Sequence, residues 1–212
     1  MPLTLSESSH FETVHEQVKA LVNQFEANLA HYLGPSYQEQ ELRHDFLDKL
    51  FIALGWDVNH TQQTNPYAQE VKIEKSVTTG QAKRRADYAF SLAPQFSKRP
   101  RFFVEAKRPQ QTIATPDNYF QAIRYSWSHQ LPVVVLTDFH SFHIIDSRFK
   151  PDINTALLRQ LAVYHFRELR DADTFAKIYW LFSREATLGD ALVKYAALVQ
   201  LSSDYLKLEI PV

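Results

Sequence analysis

The spacing of apolar residues changes period twice along the chain, and that switch most constrains the fold. Phe11, Val14, Val18, Leu21, Val22, Phe25, Leu29 and Leu33 stand three and four apart, the spacing of one buried helix face. Gly34-Pro35 ends that helix. A second is expected over 37–54, with Leu42, Phe46, Leu47, Leu50, Phe51 and Leu54 on one stripe and Gly55 as its C-cap. The period then falls to two. Residues 56–58, 70–77, 87–92 and 102–107 read as strands joined by polar, basic connections. A helix opening at Pro116-Asp117 is expected over 117–129, followed by strands at 132–137 and 142–146. The first of these last two is almost wholly apolar and therefore central. From about residue 154 the spacing reads as helical to the end, from Leu157 and Leu158 through Phe175 and Tyr179 to Leu198 and Leu201. The pattern predicts an α/β fold with a central mixed β-sheet flanked by helices. Residues 1–36 form an N-terminal helical flank, 37–150 the core and 151–212 a C-terminal helical segment.

Composition removes whole classes of chemistry. The 4 glycines (Gly34, Gly55, Gly80, Gly189) are too far apart for a dinucleotide-binding or phosphate-binding glycine loop. With 0 cysteines there is no disulfide framework, Cys-ligated zinc or thiol nucleophile. No GxSxG elbow is present. His31, His44, His129, His140 and His143 form no metal-binding motif. No apolar run approaches the roughly 20 residues of a membrane span, and no leader is expected. The expectation is a soluble, cytoplasmic protein.

The formal net charge is −1, but it is segregated. Residues 70–110 hold ten Lys/Arg against four Asp/Glu, a window of +6 that leaves −7 elsewhere. Lys83, Arg84, Arg85, Lys98, Arg99, Arg101 and Arg108 are the candidate contacts to a polyanion. A solvated pair of loops would carry the same charge. Tyr88, Phe96 and Phe102 could stack on single strands, although alternate strand aromatics more often build a core.

One set of residues carries possible chemistry. Asp87 starts a strand, and Glu105-Ala106-Lys107 ends the next. Two carboxylates on neighbouring strands can approach one cation. Alternation puts Phe103, Glu105 and Lys107 on one strand face, while Ala106 can offer its carbonyl. Asp87, Glu105 and the Ala106 carbonyl make a hard, incomplete oxygen shell suited to Mg²⁺ or Mn²⁺. Lys107 would orient a water or neutralise developing charge in phosphodiester hydrolysis. Glu39 and Arg43 share a face of the second helix, and Gln121 and Tyr125 share a face of the later one.

An early Glu, then Asp, then E-x-K on consecutive strands resembles the PD-(D/E)xK nuclease superfamily. The nearer likeness is to the N-terminal nuclease region of type IIG restriction–modification enzymes, and more distantly to type I restriction subunits. It rests on EQELRHDFLDKLFIALGWDV (39–58), RADYAF (85–90), FFVEAKRP (102–109), QAIRYSW (121–127) and LPVVVLTDF (131–139). The resemblance implies a restriction-endonuclease-like core. Asp87 and Glu105 would be metal ligands and Lys107 the catalytic lysine. Glu39 would join through a water or second metal; Gln121 and Tyr125 would position the E-x-K strand or a phosphate. Ala86 stands where the motif has proline. The implied partners are double-stranded DNA and, in a longer parent chain, methyltransferase and target-recognition domains. No S-adenosylmethionine glycine loop or helicase motif is present, and Asn65-Pro66-Tyr67 reads as a turn. The ending at Leu208-Glu-Ile-Pro-Val suits a fragment of a longer chain. Two other readings stay open: a DNA-binding or assembly module on the same fold, and a stand-alone repair or defence nuclease.

Overall fold

The structure, a computed structural model, describes residues 5–79, 82–92 and 99–198. Helices α1 (Leu5–Ala27) and α2 (Leu29–Tyr32) precede a second helical run built of three pieces. These are α3 (Glu39–Leu42), a π-helical turn (Arg43–Leu47) and α4 (Asp48–Ala53). Gly55, at φ +91°, then turns the chain as expected. Strands β1 (Val71–Thr79), β2 (Ala82–Ser91) and β3 (Pro100–Ala106) follow, then α5 (Pro116–Ser128), β4 (Val133–Thr137) and β5 (Ser141–Asp146). Thr115 caps α5 by accepting from the Asn118 N–H, and Pro116 sits where its missing N–H is harmless.

Two expectations are corrected. Residues 56–58 form no strand: Trp56 points inward and donates Nε1–H to the Phe182 carbonyl at 2.8 Å. Within the stretch expected to be helical, Gln160–His165 is a strand, β6, paired antiparallel to β5. Its apolar residues satisfied a helical spacing by coincidence of a short window. Helices α6 (Ala172–Phe182) and α7 (Arg184–Leu188) come after it, and residues 191–198 are helical.

The sheet runs in order β1-β2-β3-β4-β5-β6, antiparallel throughout except for the parallel pair β3–β4 that α5 bridges. The expected α/β arrangement, a mixed sheet flanked by helices, is the one found. Alternation divides the sheet's side chains between two cores. Tyr88, Phe90, Phe102 and Val104 join α1, α4 and α6 on one face, whereas Ala89, Phe103, Val134 and Leu136 meet α5 on the other. Phe51, Trp56, Tyr88, Phe90 and Phe102 pack ring on ring, so Tyr88 and Phe102 are core and not stacking platforms. Among the described residues no helix is long and apolar enough to cross a membrane.

One ion pair, with a buried carboxylate and a partly exposed guanidinium, ties α7 to the start of β1. Glu70 is 0% exposed, and Arg184 donates to both its oxygens, at 2.7 and 2.8 Å. Removing the guanidinium would strand a carboxylate in the core. Arg184→Ala is expected to cost about 3–5 kcal/mol in urea unfolding, and Glu70→Leu/Arg184→Met to recover most of that. Equal losses in both variants would contradict it.

Candidate active site

The pairing of β2 with β3 ends at Tyr88–Val104. Beyond it the strands part, and the Ala106 N–H would be left buried without a ladder partner. Asp87 supplies one: its Oδ2 accepts from Ala106 N at 2.8 Å. Lys107 N–H turns the other way and bonds the Thr137 carbonyl at 3.0 Å, closing the register with β4. Asp87 and the Glu105–Lys107 segment are thus joined by backbone geometry at one end of the sheet.

Glu105 points to the α5 side, as alternation requires. It is only 3% exposed. Its Oε1 accepts from Lys107 Nζ at 2.8 Å and from Gln121 Nε2, and Gln121 Nε2 also lies 3.2 Å from the Tyr125 hydroxyl. Glu105 Oε2 is buried with no hydrogen-bond partner. A bare carboxylate oxygen in the interior is costly unless something completes it.

The electrostatics follow from burial and crowding. Burial, then the Asp87 charge, pushes the Glu105 carboxyl up to about 7 against the pull of Lys107. Burial likewise raises Asp87, opposed by the Ala106 N–H and by Arg43. Glu39 is raised by burial and by Asp87, with Lys107, Arg43 and Arg108 opposing, so it belongs to the same cluster. Burial pulls Lys107 down, but Glu105, Glu39 and Asp87 outweigh it and hold the ammonium charged.

The structure therefore joins Asp87, Glu105, Ala106, Lys107, Gln121 and Tyr125 by direct bonds, with Glu39 coupled through charge. Among the described residues no group of three or more His, Asp or Glu side chains is arranged to hold a metal. The basic residues divide. Arg108 lies beside the site and donates to Gln38 Oε1 at 3.4 Å. Arg99 and Arg101 stand at the opposite end of β3, bonded to the His129 and Gln130 carbonyls and to Asp190. Lys83, Arg84 and Arg85 lie on the β1–β2 hairpin, paired by backbone with Thr78, Val77 and Ser76. Lys98 and Phe96 lie outside the described residues. Asn65-Pro66-Tyr67 is a turn, with Asn65 Oδ1 accepting from the Tyr67 N–H at 3.0 Å.

Two residues to which the sequence reading gave no role complete the cluster. Arg43 Nη1 lies 3.3 Å from Asp87 Oδ1 and 3.8 Å from Glu74 Oε1. Glu74 falls between the pairs Ile73–Tyr88 and Lys75–Ala86, beside Asp87, in a left-handed conformation at φ +50°. The signal for Arg43 was its shared helix face with Glu39. Nothing in the sequence pattern marked Glu74.

No protein-family model matches the chain. It is 33% identical over 175 residues to the type II restriction enzyme and methyltransferase RM.Eco57I of Escherichia coli. The chain thus resembles part of a type II restriction enzyme and methyltransferase. The match covers 81% of the chain and spans 17% of that relative's length. The solved structure of the type IIG restriction endonuclease BpuSI aligns with a TM-score of 0.40 at 16% identity, over 66% of this chain and 16% of that one.

The charge balance generates a pH test. A carboxyl whose folded-state pKa lies above its unfolded value of 4.5 stabilises the fold while protonated. Glu105's contribution is whole below pH 4.5 and is lost as pH rises to about 7. A shift of that size is worth roughly 3 kcal/mol. In EDTA, the melting temperature is expected to fall across this window, and Glu105→Gln to flatten the fall. Parallel profiles for the two proteins would contradict the assignment.

Proposed function

We propose that the chain is a metal-dependent DNA endonuclease domain of a restriction–modification system. The observation that carries it is the unpartnered buried Glu105 Oε2 next to an Asp87 oriented by the Ala106 N–H. Two raised carboxyls with one bare buried oxygen fit a hard divalent cation, which would satisfy that oxygen and offset the repulsion between them. Asp87, Glu105 and the Ala106 carbonyl would hold it. Bound Mg²⁺ or Mn²⁺ supplies polarisation of a phosphoryl oxygen and a more acidic water. Lys107 keeps a compact positive charge beside the reacting phosphate, where it stabilises charge that develops in the transition state. Gln121, braced by Tyr125, and Lys107 both occupy Oε1, so Oε2 is left facing the cation's place. Glu39 joins through a water.

The substrate is double-stranded DNA, gripped through Arg108 and through Lys83, Arg84 and Arg85 of the hairpin. Arg99 and Arg101 would extend the contact from the far end of β3. Sequence specificity belongs to methyltransferase and target-recognition domains of a longer cytoplasmic parent, with residues 151–212 as the connector towards them. The named activities of RM.Eco57I support this reading, and the chain corresponds to a small part of that relative. A second reading, a DNA-binding module with little or no catalysis, is favoured by the absence of a three-residue ligand cluster among the described residues.

Lys107 separates the two. Lys107→Ala is expected to lower cleavage by about two orders of magnitude or more while duplex binding changes little. Lys107→Arg should not restore it, because a planar fork does not replace a compact ammonium. The assay uses high enzyme with Mg²⁺ and Mn²⁺, on the chain and its full-length parent. No cleavage by the parent under these conditions, with DNA bound, would leave the binding module.

A further inference from the structure

The site contains a cation of its own in a revealing place. Asp87 has two oxygens, and Oδ2 is taken by the Ala106 N–H at 2.8 Å. The other, Oδ1, is the oxygen that Arg43 contacts. Any divalent ion that reaches Asp87 through its open oxygen must therefore compete with the guanidinium.

Arg43 is held in a way that lets it give way. It reaches Asp87 and Glu74 through the same nitrogen, at 3.3 and 3.8 Å. Strong arginine–carboxylate pairs use two parallel bonds at about 2.7–2.9 Å. Its position is set by packing as well. The guanidinium lies over the Tyr88 ring, 5.2 Å from the centroid, and Tyr88 is fixed by donating its hydroxyl to Asp48 Oδ1 at 2.6 Å. The side chain is 12% exposed, and Arg43 opens the π-helical turn that carries the chain from Glu39 towards Asp48. Glu74, at a left-handed φ of +50°, keeps a second carboxylate within reach at 3.8 Å.

We propose that Arg43 binds the phosphate to be cleaved, and that it rests on Asp87 Oδ1 until a divalent cation takes that oxygen. This rests on the nuclease reading of the same site. Displaced from Asp87, the guanidinium would stand beside a doubly charged ion while largely shielded from solvent, which favours pairing with an anion. A phosphodiester offers two oxygens that match the planar fork. Glu74 and the Tyr88 ring keep the released side chain at the site, so cation binding and phosphate binding are coupled.

The test measures binding of the whole chain to a short fluorescent DNA duplex by anisotropy, in Ca²⁺ and in EDTA. In Ca²⁺, Arg43→Met is expected to weaken binding about tenfold, the worth of one charged hydrogen-bonding contact. The log-affinity against log-salt slope should fall by about 0.9, one phosphate's share. In EDTA the same variant should lose no more than about twofold, since the residue is then engaged with Asp87. Glu74→Gln, at a half-exposed position, should show a smaller loss in Ca²⁺ and none in EDTA. It carries the test if Arg43→Met does not fold. Equal losses with and without Ca²⁺, no loss in Ca²⁺, or a parent chain that binds no duplex would each overturn the proposal. Failure of the nuclease reading shows separately, as an intact Ca²⁺-dependent difference in a protein that cleaves nothing with Mg²⁺ or Mn²⁺.

Discussion

The hydrogen bond from the Ala106 N–H to Asp87 Oδ2 is the contact on which the site depends. It exists because β2 and β3 stop pairing at Tyr88–Val104 while Ala106 is still fully buried. A buried N–H must find an acceptor, and here a side chain replaces the missing strand. That substitution fixes the Asp87 carboxylate against the backbone and leaves Oδ1 to Arg43. The same strand turns Glu105 and Lys107 to the α5 face, where Gln121 and Tyr125 meet them. One interruption in a ladder thus decides where the carboxylates, the lysine and the helix face come together.

This arrangement opposes the stability of the fold. Glu39, Asp87 and Glu105 repel one another in a region of low dielectric, and Glu74 adds strain at its backbone. Lys107 and Arg43 relieve part of the repulsion, and protonation of Glu105 near neutrality relieves more. The remainder is borne by the aromatic core on the other face of the sheet, where Trp56, Phe90, Phe102 and Phe182 interlock. Crowded carboxylates, a bare buried oxygen and a left-handed backbone gathered in one cluster are the kind of broken local rule expected of a functional site.

Much of this was legible in the sequence, for physical reasons particular to each element. β3 could be read because charged Glu105 and Lys107 close an apolar strand, and α5 because Thr115-Pro116-Asp117 announces a helix start. The helix period put Gln121 and Tyr125 on one face and the resemblance implied a role in positioning the E-x-K strand; the bond from Gln121 to Glu105 shows only in the fold. β6 was misread because Leu157, Leu158, Leu161 and Tyr164 stand three and four apart, in a window too short to tell the periods apart. Trp56–Val58 was misread as a strand because a buried aromatic flanked by polar residues looks the same in a loop. Glu74 was invisible, since a left-handed backbone in the middle of a β-like pattern leaves no trace in residue type. Arg43 was placed on the right face, but its partner Asp87 is 44 residues away, and only the folded register brings them together.

The most direct measurement is anomalous diffraction from crystals of the protein soaked in Mn²⁺. Asp87 and Glu105 would hold one manganese, with the Arg43 guanidinium moved off Asp87. Manganese bound elsewhere with Asp87 still held by Arg43, or no ordered manganese at a concentration that supports cleavage, would contradict it.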